Sequence, residues 1–139
     1  MSKESLLTNS ANFDDPVLLE GLKILVVDDS ADNQFLIGRL LKKRGALVEV
    51  ADNGQSGVDK ALSGEFAIVL MDIQMPEMDG YEATEKLRSS GFEKPIIALT
   101  AHALPEAQAK CLASGCNDRV VKPISSSELM QKIVKLTKI

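Results

Sequence analysis

The sequence predicts one α/β domain in which five parallel strands form a sheet with helices on both faces. Five short runs rich in Val, Ile and Leu alternate with segments of helical periodicity. Runs so uniformly apolar are typical of strands that are buried on both sides. The length of 139 residues suits a single domain, and 45% hydrophobic with 26% charged residues is a globular composition.

Strands are predicted where β-branched apolar residues run together and then meet a polar residue. The run at 66–71 is the most apolar, which predicts that it lies at the centre of the sheet. The predicted strands are, in order, residues 23–27, 46–50, 66–71, 95–99 and 119–121.

Helices are predicted between the strands from apolar spacing and from turn and stop signals. The first ends at Gly45, the second follows the Asn53-Gly54 turn, the third follows Gly80, and the fourth ends before Gly115. The predicted helices are about 31–44, 55–63, 81–89, 104–113, and a last one opened by the capping-box spacing of 125–128.

Because the connections between parallel strands are right-handed, only the order of the strands in the sheet remains to be predicted. The common order is 2-1-3-4-5, so the predicted fold is a doubly wound (βα)5, flavodoxin-like three-layer sandwich. It covers residues 22–137, and the polar residues 1–21 are predicted to form a tail or linker. In this order a ligand crevice lies at the carboxyl ends of the first and third strands.

Charge and composition argue against several classes of protein. A net charge of −4 does not favour nucleic-acid or anionic-membrane partners. No apolar run approaches the roughly 20 residues of a membrane span, and the N-terminus lacks the pattern of a secretion signal. Two cysteines and one histidine favour neither a zinc site nor a disulfide scaffold, so a cytoplasmic location is expected.

Polar side chains stand at the carboxyl ends of four predicted strands, which parallel pairing brings to one rim. They are Asp28 and Asp29, Asp72, Thr100 and Lys122. Three carboxylates so placed would raise one another's pKa values, and a divalent cation would relieve the repulsion. Oxygen ligands without nearby His or Cys favour Mg²⁺. Lys122 and Thr100 would then contact the oxygens of a phosphoryl group.

Asp72 is the predicted phosphoacceptor, because a carboxylate can act as the nucleophile and because this one follows the central strand. Asp29 is predicted to bind the metal directly, and Asp28 to help hold it through water. Helix capping would explain any one of these residues taken alone. It explains poorly why all five stand at strand ends.

Four motifs in order resemble the receiver domain of two-component response regulators. They are LVVDDS at 25–30, MDIQMPEMDG at 71–80, IALTA at 97–101 and VKP at 121–123. The resemblance covers about residues 22–137. The segments 71–76 and 99–104 look most like receivers attached to hybrid histidine kinases or phosphorelays.

The resemblance implies a phosphorelay reaction. Asp72 would accept phosphate from a phosphohistidine of a histidine kinase or histidine phosphotransfer protein, with Mg²⁺, for which Mn²⁺ would substitute. The metal ligands would be Asp29, Asp72 and the backbone carbonyl of Gln74, with Asp28 acting through water. Thr100 and Lys122 would contact the phosphoryl oxygens.

The resemblance also implies a conformational response. Phosphorylation would shift Thr100 and the region of the fourth helix and fifth strand, altering partner binding. A weak dimer through that face and the fifth helix is possible in such domains. Members of the family hydrolyse their own acyl phosphate, and Gln74 and His102, next to the site, should influence the rate. Ala101 and Arg119 are further positions expected to modulate the site. The Lys122–Pro123 peptide bond is expected to be cis.

Arg119 departs from the family pattern. Many receivers carry Tyr or Phe three residues before the lysine of the fifth strand, and that ring rotates inward on phosphorylation. An arginine is costly to bury unpaired, so the aromatic part of this switch is not expected here. A shift of Thr100 and of residues 101–105 is still expected.

Three other functions remain open. A receiver-like module could bind proteins without taking phosphate. A Mg²⁺-dependent phosphohydrolase with an aspartyl nucleophile would need a second Asp where this chain has Gln74. A flavodoxin-like electron carrier would need a phosphate-cradling loop, whereas Asp28 and Asp29 would repel phosphate.

The length leaves no room for an output domain beside the receiver. The chain alone is therefore expected not to be an enzyme beyond phosphorylating and dephosphorylating itself. It would either act by docking on partners or be a receiver excised from a hybrid kinase, in which case the parent would be a histidine kinase.

Overall fold

The structure is a computed structural model that describes residues 18–137. Strands and helices alternate along this part of the chain. They are β1 Lys23–Val27, α1 Ala31–Lys42, β2 Leu47–Ala51, α2 Gly54–Ser63, β3 Ile68–Asp72, α3 Gly80–Ser89, β4 Ile96–Thr100, α4 Pro105–Ser114, β5 Asp118–Val121 and α5 Ser126–Thr137.

The strands form one sheet with the order β2-β1-β3-β4-β5, and every neighbouring pair is parallel. The predicted order 2-1-3-4-5 is confirmed. β3 lies at the centre and is buried along its whole length, as its apolar sequence predicts. β2 lies at an edge and is mostly exposed or half-buried.

Helices cover both faces of the sheet, which confirms the three-layer sandwich. Alternate residues of each strand point to opposite faces, so Leu25 and Val27 of β1 join one half of the core while Ile24 and Val26 join the other. Side chains of α2, α3 and α4 complete the first half, and those of α1 and α5 complete the second. Burial of each Val, Leu, Ile, Phe or Met side chain among them contributes roughly 1.5–3 kcal/mol.

Four strands extend one residue further than predicted at one end. β2 ends at Ala51, β3 at Asp72 and β4 at Thr100, and β5 begins at Asp118. Asp72 pairs with Leu99 and Thr100 pairs with Val121, so both polar residues belong to the strands rather than following them. α1 ends two residues earlier than predicted, at Lys42. The turn that follows is tighter than an α-helical turn, because the amide of Gly45 donates to the carbonyl of Lys42, only three residues back.

Polar side chains begin several of the helices. Ser30 caps α1 by accepting from the amide of Asn33. Asp79 and Glu82 form a reciprocal capping box at the start of α3. The capping box predicted at 125–128 is only half present, since the Glu128 amide donates to Ser125 Oγ while the Glu128 carboxylate pairs with Lys132.

The packed domain includes part of the segment that the sequence assigns to a tail. Leu19 is fully buried, and its amide donates to the carbonyl of Arg44 at 2.7 Å. Packing therefore begins at least as early as Leu19. The rest of the predicted tail, residues 1–17, lies outside the described residues. Among residues 18–137, no helix has the length and apolar character needed to cross a membrane.

Candidate functional site

The carboxyl ends of β1, β3, β4 and β5 meet at one rim of the sheet. Asp72 ends β3 and Thr100 ends β4, while Asp28 and Asp29 directly follow β1 and Lys122 directly follows β5. Parallel pairing in register brings these ends level with one another. The rim lies where the winding direction of the sheet switches, between β1 and β3, which is where open α/β sheets bind ligands.

Three carboxylates cluster at this rim. One ligand oxygen from each of Asp28, Asp29 and Asp72 lies within 4.8 Å of the others. Asp28 and Asp72 are buried, whereas Asp29 is exposed. The cluster therefore has a buried floor and one side open to solvent, and it concentrates negative charge in a small space.

Lys122 faces two of these carboxylates. Its Nζ lies 3.0 Å from Oδ1 of Asp72, a hydrogen-bonded ion pair, and 3.8 Å from Oδ2 of Asp28. The Lys122 amide donates to the carbonyl of Thr100 at 2.7 Å, which fixes the start of the side chain beside β4. The Lys122–Pro123 bond is cis, as the resemblance implies. One ammonium against three carboxylates leaves the cluster with an excess of negative charge.

Asp28 shows the clearest sign of a missing partner. Its Oδ1 accepts from the amide of Ser30 at 2.9 Å, but its buried Oδ2 has no hydrogen-bond partner among residues 18–137. Burial raises the pKa of Asp28 above its ordinary value of 3.8; the Ser30 amide opposes the rise, Asp72 adds to it, and Lys122 also opposes it. A buried carboxylate oxygen of this kind calls for a cation or an ordered water.

The β3–α3 loop contains Gln74, two residues after Asp72, and at its end Gly80 packs against the end of β3. The amide of Gly80 donates to the carbonyl of Ile73 at 2.9 Å. A Cβ at Gly80 would lie 2.3 Å from the carbonyl oxygen of Asp72, so only glycine fits at this position. Gln74 is exposed beside the site. Its role as a backbone metal ligand remains a prediction.

The β4–α4 loop approaches Gln74 from the other side. The His102 amide donates to Oγ1 of Thr100 at 3.0 Å. Nε2 of the His102 ring lies 3.1 Å from the side-chain Nε2 of Gln74, so the two side chains bridge the two loops. The sequence places both residues next to the site, but it contains no signal that they touch. Ala101 is exposed in the same loop.

The guanidinium of Arg119 is not buried without partners, because it forms hydrogen bonds with backbone carbonyls. Its guanidinium donates to the carbonyl oxygens of His102 and Ala103 in the β4–α4 loop. The sequence identifies the unusual residue type, yet it does not show where the side chain goes. The contact could be found only once the loop's path was known.

The sequence profile of the response regulator receiver domain matches residues 24–134. The sensor protein GacS of Pseudomonas syringae is 39% identical over 132 residues, which cover 91% of this chain and 15% of that protein. The kinase BarA of Escherichia coli K12 is 37% identical over 116 residues, covering 82% of this chain and 13% of BarA. The chain thus spans about one seventh of the length of these relatives.

Two solved structures share the fold closely. The receiver domain of the sensor histidine kinase PA1611 from Pseudomonas aeruginosa, with magnesium coordinated in its active-site cleft, superposes with a TM-score of 0.79 at 36% identity, covering 86% of this chain and 99% of that one. The Ssk1 receiver domain of Saccharomyces cerevisiae, crystallised with the histidine phosphotransfer protein Ypd1, gives 0.80 at 30% identity, covering 86% and 90%. The chain therefore belongs to the response regulator receiver domain family of two-component systems.

Proposed function

We propose that this domain accepts a phosphoryl group on Asp72 from a phosphohistidine of a histidine kinase or histidine phosphotransfer protein. The observation that carries the proposal is the placement of the Asp72 carboxylate. It lies at the switch point of the sheet, paired with Lys122 and grouped with two further carboxylates. An aspartate so placed can act as a nucleophile while neighbouring charges stabilise the transferred group.

The donor set fits Mg²⁺. The three carboxylates offer hard oxygen ligands, and the unpartnered Oδ2 of Asp28 supplies the independent sign that a charge or water belongs there. Asp29, Asp72 and the carbonyl of Gln74 would bind the ion, with Asp28 acting through water, and Mn²⁺ would substitute. The bound ion would neutralise charge on the carboxylates and the phosphoryl oxygens. The PA1611 receiver, with magnesium in its cleft, supports this assignment.

In the reaction, a carboxylate oxygen of Asp72 attacks phosphorus as the P–N bond of the donor breaks. The bonding electron pair leaves with the imidazole of the donor, and a new P–O bond forms on Asp72. Lys122, now beside Oδ1 of Asp72, would pair with a phosphoryl oxygen. Thr100, with its hydroxyl at the same rim, would donate to another.

The surface beside the site suits a protein donor. Phe35 and Leu36 of α1 are 64% and 58% exposed. Leu36 also lines a groove of about 550 Å³ together with Lys122 and Ile124, so this apolar surface reaches the rim of the site. A partner that packs on α1 could bring its phosphohistidine to Asp72. The Ssk1 receiver, which crystallised with Ypd1, supports a partner of this kind.

Chemical phosphorylation tests the proposal. The protein is incubated with Mg²⁺ and a small acyl phosphate donor, and its intact mass is measured. One added phosphate is expected on the wild type, none on Asp72→Asn, and none when a chelator removes the metal. Asp79→Asn is the matched control, since Asp79 caps α3 outside the carboxylate cluster and its variant should still be labelled. An unlabelled wild type would favour a protein-binding module that does not take phosphate.

A further inference from the structure

The side chain of Arg119, in β5, holds the loop between β4 and α4 through several hydrogen bonds. We call this set of hydrogen bonds the clasp. The guanidinium of Arg119 donates to the carbonyl oxygens of His102 at 3.0 Å, Ala103 at 3.1 Å and Leu104 at 3.3 Å. It also reaches Oε1 of Gln108 in α4 at 3.4 Å. A planar guanidinium has five N–H donors and can hold several carbonyls at once, which neither an ammonium nor an aromatic ring can do as well.

The backbone of Arg119 is also held by hydrogen bonds. Its amide donates to Oδ1 of Asp118 at 2.8 Å, and its carbonyl accepts from Nζ of Lys132 in α5. Lys132 also pairs with Asp118 and Glu128, each at 3.2 Å. The clasp is therefore anchored on two packed elements, β5 and α5, and it limits the freedom of an otherwise exposed loop.

The clasped loop touches the proposed phosphorylation site at two points. The His102 amide donates to Oγ1 of Thr100, which occupies a lone pair of the hydroxyl and leaves its hydrogen free for another acceptor. The His102 ring meets the side chain of Gln74 across the site. Both contacts depend on the backbone position of His102, whose carbonyl Arg119 holds.

We propose that Arg119 is a positioning residue that prolongs the life of the phosphoryl group on Asp72; this inference rests on the proposed function. The clasp keeps the Thr100 hydroxyl and the His102–Gln74 bridge in place beside that group. In hydrolysis, water attacks phosphorus and the P–O bond to Asp72 breaks, releasing inorganic phosphate and the carboxylate. A loop freed from the clasp opens more often and admits that water.

The test compares the half-life of the phosphoryl group on wild type, Arg119→Ala and Arg119→Lys. Each protein is labelled with the small phosphodonor and Mg²⁺, freed of donor by rapid gel filtration, and followed by intact mass. For Arg119→Ala we expect a half-life shorter by about threefold or more. Arg119→Lys should fall between, because it keeps the charge but holds fewer carbonyls.

Lys60→Ala is the matched control. Its ammonium also donates to a backbone carbonyl, that of Val50 in β2, away from the β4–α4 loop. This variant should keep the wild-type half-life. Amide hydrogen exchange in residues 101–104 of the unphosphorylated proteins should be faster only in the Arg119 variants, which separates a loosened loop from a general loss of stability.

The outcomes separate the two proposals. A wild type that takes no label would overturn the proposed function and this inference with it. A labelled wild type whose half-life equals that of Arg119→Ala would overturn this inference alone. A half-life of Arg119→Lys equal to that of wild type would also overturn it, because charge rather than the clasp would then be responsible.

Discussion

At the residue scale, burial of the Asp28 carboxylate lowers the stability of the protein, and the fold itself does not require a carboxylate at this position. Its carboxylate is fully buried, and one oxygen has no hydrogen-bond partner within residues 18–137. Burial is the main cause that raises its pKa. Such a group is retained where a ligand uses it, so the local destabilisation is consistent with a metal site.

Asp28→Asn should therefore stabilise the metal-free protein at pH 7, by about 1–2 kcal/mol. The amide removes a buried charge, and Lys122 keeps Asp72 as its partner. Because the folded-state pKa of Asp28 lies above 3.8, the contribution of Asp28 to stability falls as pH rises from 3.8 through that raised value. Urea unfolding with a chelator should show the advantage of the variant at pH 7 and none below pH 3.8, where both states are protonated.

A wild type as stable as the variant at pH 7 would contradict this account of Asp28. The same titration on Asp79→Asn provides the comparison, because Asp79 is a helix cap outside the carboxylate cluster and asparagine caps about as well, so its stability at pH 7 should change little.

Residues at strand ends could be predicted from sequence, whereas contacts between loops could not. Asp72 and Lys122 follow from the ends of apolar runs, because parallel strands bring those ends together whatever the loops do. The His102–Gln74 bridge and the reach of Arg119 depend on loop backbones that no periodicity describes. The motif positions were therefore predictable, but the links between the loops were not.

At the element scale, the start of α3 packs closely against Asp72, the proposed phosphoacceptor. The first residue of this helix, Gly80, lies against the end of β3, where an added Cβ would meet the Asp72 carbonyl oxygen at 2.3 Å and Ile73 Cα at 2.8 Å. Both contacts are with backbone, which cannot turn aside as a side chain can. The helix can begin there only because the residue is glycine.

Gly80→Ala should lower the free energy of unfolding by about 3 kcal/mol, because the backbone of β3 or α3 must shift to admit the methyl group. Gly38→Ala in α1 is the matched control. Its Cβ would meet only Val48 Cγ1 at 3.9 Å, an ordinary contact, so this helix-interior change should stabilise by about 0.5–1 kcal/mol. Urea denaturation of both variants measures the difference, and equal stabilities would refute the close approach at Gly80.

Helix limits show where element-scale prediction stops. The apolar spacing predicts a helix over 31–44, but α1 ends at Lys42. The amides of Arg44 and Gly45 donate to carbonyls three residues back rather than four, so the last turn is no longer α-helical. The Ser125–Glu128 spacing suits a reciprocal cap, but the Glu128 carboxylate pairs with Lys132 instead. Local patterns identify an element, while its last turn depends on tertiary partners.

At the scale of the whole molecule, the doubly wound sheet assembles the site. Residues 28 and 122 are far apart in sequence, yet Asp28 Oδ2 and Lys122 Nζ lie 3.8 Å apart. The strand order places β1 and β3 side by side at the switch point, with β4 and β5 following outward. Five alternating units and right-handed crossovers made this order predictable, and with it the meeting of the five polar residues. Leu19, in a segment without regular periodicity, gave no comparable signal of its burial.

Transfer from a phosphohistidine protein tests the central claim most directly. A histidine phosphotransfer domain carrying a radiolabelled phosphoryl group is mixed with the wild type or with Asp72→Asn, in the presence of Mg²⁺ or of a chelator. Label should pass to the wild type only when Mg²⁺ is present, and should stay on the donor with Asp72→Asn. Label that remains on every donor tested, or that reaches Asp72→Asn as readily as the wild type, would contradict the assignment of Asp72 as the phosphoacceptor.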